Sequence, residues 1–445
     1  MKISYQVSAV VDCGPRDGVR ASGSVAHLSR TLVNMAANNT KHKLVILGAG
    51  FGGLTAARAV EEASEEDAAL LEAVLVSAPG PAVVGAFAPM VLKGKVKAEQ
   101  VTRTVAPGGL NLSRVALVPD VVQSIDTENK VVRTKAGEIS YDDLVVSLGV
   151  EYYDAVPGLN DAAFNLCDTA DMVALRGALL RAESGTVVVA VGSLPYKCPP
   201  LPYEAAFAVD AVLREAGKRD AFRVVVTTPM AQAVPPFAPH VFQDMMAAKG
   251  IEFKTKAQPS AVDAVNKTVT FDDGESLEYT LLAATLPQRA PAVVREAMPI
   301  DDPRGFVVVD PKSLRTSVPH VYVIGDSATV KVNFAKAGLK VQPKAGKFAM
   351  VQAKTAVQAV LADARAAAAG ESTSWDAPVV SVTEGGQCNV AAVDGAGLTI
   401  TMDFYDNADK PKVGISEPDT QQLADKLQWL RDLDAEWFGV TEPSY

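Results

Sequence analysis

A chain of 445 residues is roughly three times a common domain length, enough for two or three domains with large apolar cores and no need of disulfide staples. With 48% hydrophobic and 21% charged residues, the composition excludes intrinsic disorder and low-complexity fibre, and a net charge of −10 excludes a basic nucleic-acid footprint as a global feature. No 18-residue apolar run occurs, because residues 73–92 are broken by Ser77, Pro79, Gly80, Pro81, Gly85 and Pro89, so no transmembrane segment is expected.

In chain order, residues 1–40 are polar and hold no continuous apolar stretch and no twin arginine. A secretory signal is therefore not expected there, and a transit-like extension is the alternative. The run 43–47 reads as a buried strand bounded by glycine, followed by a helix over 54–65 and a second strand at 74–76. Further strands fall at 131–134 and 144–147, the latter running to Gly149. A second alternating unit follows: helix 170–182, strand 186–191, helix 203–216, strand 223–227 and helix 241–249. Strand 320–324 and helix 348–369 return to the first pattern. A mixed segment then carries a strand at 397–404 and a closing helix at 420–438. Strand–helix alternation predicts an α/β protein with two Rossmann-like, glutathione-reductase-type nucleotide folds and a smaller α+β C-terminal domain. The expected division is an extension over 1–40, a first nucleotide domain over 41–150 and 295–365, a second over 151–294, and a C-terminal domain over 366–445. That last segment holds 14 acids and 4 bases, so the whole net charge lies in it. Its default reading is a solvated surface; the alternative is a steering surface for a basic partner.

Between the first strand and helix stands Gly48-x-Gly50-x-x-Gly53. Gly48 permits the tight turn, Gly50 lets backbone approach a pyrophosphate, and Gly53 allows close helix–strand packing. Phosphate then meets free N–H groups at the helix start. The acid expected at the end of the second strand is replaced by Ser77, which weakens recognition of a ribose hydroxyl. A second motif, Thr316 to Asp326, runs a strand into Gly325-Asp326 and sets a carboxylate at its tip; a turn or helix-capping role is the plain alternative.

The second nucleotide unit has no glycine fingerprint. After the strand at 186–191 the chain reads Gly192-Ser193-Leu194-Pro195-Tyr196-Lys197-Cys198-Pro199-Pro200-Leu201-Pro202-Tyr203-Glu204. Prolines remove N–H donors where a pyrophosphate would want them, so an NAD-like fold without NAD is expected. Lys197 and the following helix start are both features that lower a thiol pKa at Cys198. Glu204 is either a proton acceptor six residues on or a surface residue of the helix. Four cysteines, Cys13, Cys167, Cys198 and Cys388, and four histidines show no metal-ligand spacing, and no G-x-S-x-G hydrolase signature occurs.

The segment Lys197 to Phe207 closely resembles the K-C-P-P-x-P-Y-E motif of the flavin subunit of flavocytochrome c sulfide dehydrogenases, near relatives of the sulfide:quinone oxidoreductases. The resemblance runs from about Leu44 to Gly439. Gly325-Asp326 resembles the second flavin fingerprint, so the resemblance implies FAD held by Gly48, Gly50, Gly53, Ser77, Gly149, Gly325 and Asp326. Pro343-Lys344-Ala345-Gly346 resembles a motif whose lysine lies near the flavin pyrimidine edge, and Gln352 fits the helix that follows. The resemblance also implies a redox disulfide between Cys198 and Cys388, assistance in sulfur handling from Cys167, sulfide as substrate, and cytochrome c, a haem c subunit or a quinone as acceptor. A periplasmic or mitochondrial setting and at most a peripheral membrane contact go with it. The stretch Val83-Val84-Gly85-Ala86-Phe87 lacks the cysteine through which the flavocytochromes hold FAD covalently, so the flavin is expected to be non-covalent. Two other readings stand beside this one: an NAD(P)H-type flavin dehydrogenase, and a non-catalytic structural or assembly subunit.

Overall fold

The computed structural model describes residues 41–83, 87–334, 339–378, 380–391, 395–405 and 412–443. The expected extension with Cys13, and Val84 to Ala86, lie outside these residues.

The first sheet is fully parallel. Strand β1 (His42–Leu47) leads through the glycine turn into helix α1 (Phe51–Glu61), and β2 (Leu71–Ser77), β3 (Val115–Pro119) and β4 (Asp143–Val146) follow. The second sheet takes β5 (Gly185–Val191), β6 (Phe222–Thr227), β7 (Ile251–Lys254) and β8 (Leu281–Thr285), with helices α2 (Thr169–Arg181) and α3 (Leu201–Glu215) on it. The chain then returns to the first sheet with β9 (Val321–Val323), which gives the order β9-β4-β1-β2-β3. The second sheet runs β8-β5-β6-β7, with Phe164–Asn165 on its β8 edge. All these pairs are parallel. Parallel sheets are covered on both faces, which explains why Leu44 to Leu47 and Val187 to Val191 are continuous apolar runs at 0–1% exposure. Each large aliphatic side chain so buried contributes about 1.5–3 kcal/mol.

Helix α4 (Gly346–Ala368) packs along α1 and ties the late return segment to the glycine turn. Beyond it, β10 (Gly386–Ala391), β11 (Gly397–Asp403) and β12 (Lys412–Ile415) form an antiparallel sheet, closed by helix α5 (Thr420–Phe438). The fold is thus α/β with two Rossmann-like sheets and a smaller mixed C-terminal layer. One helix differs from the sequence expectation. The helix expected over 54–65 starts earlier, at Phe51, and ends at Glu61. Ser64 then caps a second short helix, Glu65–Leu70, by accepting from the Asp67 N–H, with three acids in its first turn.

At the N-terminal edge of the first sheet, the fully buried Asp143 lies between two histidines. His42 Nε2 is 2.5 Å and His320 Nδ1 3.2 Å from its carboxylate. Burial raises the Asp143 pKa, but these two hydrogen bonds outweigh it and hold the group below the ordinary aspartate value. Burial likewise opposes the His42 charge, and Asp143 overcomes it, so the His42 pKa is raised. The His42 contribution is fully present below its unfolded pKa of 6.5 and is lost as pH rises through the raised folded value. Asp143 contributes above its unfolded pKa of 3.8 and loses that contribution as pH falls through its depressed folded value. Denaturant unfolding should therefore report falling stability as pH climbs past 6.5, and Asp143→Asn should remove most of that slope while costing about 2–3 kcal/mol at pH 6. An unchanged slope in the variant would reject the assignment.

Candidate functional site

The carboxyl ends of β1, β4 and β9 converge, as ligand sites do in open parallel sheets. Gly48 follows β1 with φ +97°, and a Cβ there would stand 2.4 Å from the Ser147 carbonyl oxygen. A Cβ on Gly53 would stand 1.7 Å from the Gly48 carbonyl oxygen, so the turn closes only with glycine at both places. Gly50 is the N-cap of α1 and supplies no side-chain cap, which leaves the first-turn amides of the helix without a side-chain partner. A Cβ at Gly50 or Gly149 would meet nothing within 4 Å, because both border open space. Gly325 N–H donates to Gln352 Oε1 at 2.7 Å, which fixes the turn carrying Asp326.

The ends of these turns border a cavity of about 340 Å³. Gly50, Gly149, Gly325, Asp326 and Lys344 line it together with Cys167, Cys198, Cys388 and Glu204. Nine of the expected site residues are thereby brought together. Gly48 and Gly53 shape the turn behind the wall and do not line it, and neither does Ser77. Ser77 ends β2, with its hydroxyl 3.5 Å from the Ala78 carbonyl oxygen.

Cys198 occupies the left-handed region, with φ 57°, which costs a non-glycine residue about 1–2 kcal/mol. It is held there from both sides. Its N–H donates to the Lys344 carbonyl at 2.7 Å, and its own carbonyl accepts from Leu201 N–H at 2.8 Å. The Lys344 side chain in turn donates to the carbonyls of Asp326 and Ala328 at 2.7 and 2.8 Å and lies 3.7 Å from the centre of the Phe306 ring. Burial brings the Lys344 pKa down to about 8. One chain of contacts therefore runs from the thiol segment to the second fingerprint.

The thiol chemistry departs from the sequence expectation. Lys197 does not serve Cys198: its ammonium lies 5.5 Å from the Tyr152 ring centre, and it interacts with Cys167, Tyr152 and Asp326. Helix α3 starts three residues beyond Cys198, after two prolines without N–H groups. Burial first, then the Glu204 charge, pushes the Cys198 thiol well above the ordinary range and the Cys388 thiol up to about 12, with Lys426 opposing in both cases. Burial also raises Cys167, against the pull of Lys197. All three are free thiols, so the Cys198–Cys388 bond implied by the resemblance is not formed in this structure.

Glu204 is not a surface residue. It is 2% exposed, and its Oε1 accepts from Lys426 Nζ at 2.8 Å and from Ala391 N–H at 2.5 Å. Lys426 is fully buried on α5. Sequence reading missed it, as it missed Trp429 on the same helix, which lines the cavity and stacks on Phe51 with ring centres 6.0 Å apart. On the same helix Asp434 is fully buried and takes a hydrogen bond from Arg103 Nε at 2.7 Å.

Lys426→Met should strand a buried carboxylate and cost about 3–5 kcal/mol, with most of the loss recovered in Glu204→Met/Lys426→Met. In the folded single variant, iodoacetamide should alkylate Cys388 only at higher pH than in the parent, and in Glu204→Gln at lower pH. Superimposable alkylation profiles in all three proteins would reject the electrostatic role of the pair.

Residues 42–360 match the pyridine nucleotide-disulphide oxidoreductase family. The nitric oxide reductase FlRd-NAD(+) reductase of Aeromonas salmonicida is 26% identical over 220 residues, 48% of this chain and 53% of that protein, so the chain spans about half the length of that relative. The mitochondrial sulfide:quinone oxidoreductase of Dictyostelium discoideum is 25% identical over 325 residues, 67% of this chain and 68% of that protein. The solved sulfide:quinone oxidoreductase of Aquifex aeolicus superposes with a TM-score of 0.72 at 16% identity, over 91% of this chain and 93% of that one. The glycine turn, the open space at Gly50 and Gly149, and Asp326 on the cavity wall fit FAD, the cofactor of this family. With the match extending over well more than half its length, the chain belongs to the pyridine nucleotide-disulphide oxidoreductase family.

Proposed function

We propose that this protein is an FAD-dependent sulfide oxidoreductase that works through a Cys198–Cys388 redox pair. The observation that carries the reading is the cavity itself: three cysteines line it together with the glycine turns and Asp326, and the second nucleotide unit lacks a glycine fingerprint. Likeness to two sulfide:quinone oxidoreductases, one by sequence and one by fold, supports it. In the oxidised protein, hydrosulfide attacks the disulfide. Its sulfur bonds to Cys388, the Cys198–Cys388 bond breaks, and Cys198 leaves as thiolate. Bound FAD supplies a two-electron acceptor at this place. Both thiols have raised proton affinity, so a nearby group must manage the proton. Glu204 is the acceptor on the cavity wall, and Lys426 balances its charge. Lys344, at about 8, is poised to hold or release a proton on the cofactor side.

Quinone is the acceptor that likeness to the two sulfide:quinone oxidoreductases favours. Among the described residues no helix is long and apolar enough to cross a membrane, so a quinone would be met at a surface or free. The acidic C-terminal segment favours a basic carrier such as cytochrome c instead. An NAD(P)H-dependent reaction draws support from the Aeromonas relative, and the proline-rich segment before α3 opposes it.

Purified protein should absorb near 370 and 450 nm, and acid precipitation should release the flavin into the supernatant. Anaerobic sulfide should bleach the 450 nm band, and Cys198→Ser or Cys388→Ser should abolish the bleaching. Bleaching by NADH but not by sulfide would move the protein to the reductase reading, and a colourless protein that takes up no FAD would end both.

Acceptor choice is decided by ionic strength. If a basic carrier is steered by the C-terminal acids, cytochrome c reduction should slow several-fold between low and physiological salt, while a short-chain quinone responds little. Reversal of the exposed Glu417, Asp425 and Asp432 should reproduce the high-salt rate at low salt. Asp434 is unsuitable for that test because it is buried against Arg103. Fast quinone reduction with no cytochrome reduction at any salt would leave the acids as a solvated face.

A further inference from the structure

Cys388 stands between two chambers. One is the cavity described above. The other is a pocket of about 140 Å³ with an almost wholly apolar wall of proline, methionine and branched aliphatic side chains. Its sides come from the turns around Pro195 and Pro235 and from Ile400 and Met402 on β11, and Leu194, 42% exposed, stands at its edge. Cys198 borders only the first chamber.

The polar side chains around the second pocket already have partners. Tyr196 donates its hydroxyl to the Pro199 carbonyl at 2.9 Å. The Gln342 amide donates to Tyr405 at 3.0 Å and accepts from Gln352 at 2.5 Å. Lys344 Nζ is held by the carbonyls of Asp326 and Ala328. The Cys388 thiol is thus the one reactive group of this wall among the described residues. A charged or strongly polar ligand would be desolvated here with nothing to replace its water. The volume is close to that of apolar cavities that bind benzene, about 150 Å³.

We propose that this pocket binds a small apolar thiol, of about the size of a benzyl or short alkyl thiol, as the acceptor of sulfur from Cys388. The proposal rests on the sulfide-oxidation reading above, in which Cys388 carries a persulfide. The thiol sulfur bonds to the outer sulfur of that persulfide, the bond from this sulfur to Cys388 breaks, and the proton of the incoming thiol passes to the Cys388 thiolate. The products are an alkyl persulfide and a free Cys388 thiol, and no electrons leave the pair. The same wall disfavours glutathione, cysteine and sulfite by this route.

The test begins on the reduced holoenzyme with methanethiosulfonate reagents, benzyl against sulfonatoethyl, and sites of labelling read by peptide mapping. After correction for their rates with a free thiol, the benzyl reagent should modify Cys388 about tenfold faster or more, as expected when a charge must be desolvated. Met230→Trp, which fills the pocket, should slow benzyl labelling of Cys388 by a similar factor and leave Cys167 unaffected. Leu194→Glu should slow it at the entrance. Equal corrected rates for the two reagents, or no effect of Met230→Trp, would overturn the pocket. Sulfide-treated protein should then pass sulfur to benzyl mercaptan faster than to glutathione. A persulfide that forms on Cys388 but goes to neither thiol, or goes faster to glutathione, would overturn the acceptor role. If no persulfide forms at all, the sulfide reading and the acceptor role fall together, while the labelling result still decides the selectivity of the pocket.

Discussion

The buried contact of Glu204 with Lys426 and the Ala391 amide is the constraint on which the site depends. Three segments remote in sequence meet at one carboxylate: the helix following Cys198, the strand carrying Cys388, and the closing helix. An ion pair taken out of water gains little net stability over an apolar replacement of the same volume. Its value here is one of placement, since a carboxylate that must be satisfied fixes where α3, β10 and α5 sit relative to one another. The two cysteines are positioned by the same arrangement, and the same charges act on their thiols.

A second contact, on the other side of the cavity, completes the frame. Lys344 holds Cys198 through its backbone carbonyl and the Asp326 turn through its ammonium. A left-handed, non-glycine Cys198 is tolerated because hydrogen bonds at both its N–H and its carbonyl over-determine it. Cofactor cradle and thiol segment are therefore rigid with respect to each other, which suits a reaction whose centres must stay in reach through several steps.

Much of this was legible in the sequence. Gly48, Gly50 and Gly53 announce a turn that admits no side chain, and the continuous apolar strands announce sheets covered on both faces. The proline-rich Cys198 segment announces a second unit whose first turn is not built from glycines. What the sequence hid is the chemistry of burial. A lysine and an aspartate on an amphipathic helix read as solvent-facing, because charged residues are seldom buried without a partner, and the partners of Lys426 and Asp434 lie 222 and 331 positions away. Lys197 beside Cys198 suggested an acidic thiol, but neighbours in sequence need not be neighbours in charge: the lysine turns to Cys167, and Cys198 is left with Glu204. Ser64 was a missed helix start because its capping bond falls inside what read as one continuous helix.

Helix α5 has a consequence in time as well as in space. Its two buried charges grip different parts of the molecule, Arg103 beside the first sheet and Glu204 beside the second, and it is the last element in chain order. During synthesis both nucleotide folds leave the ribosome before it does. Their cofactor turn can form early, but the wall of thiols cannot be closed until the final helix has emerged and found both partners. The nascent protein is thus able to assemble its dinucleotide cradle before the chamber around Cys198 and Cys388 is complete, and these thiols are enclosed only at the last step of folding.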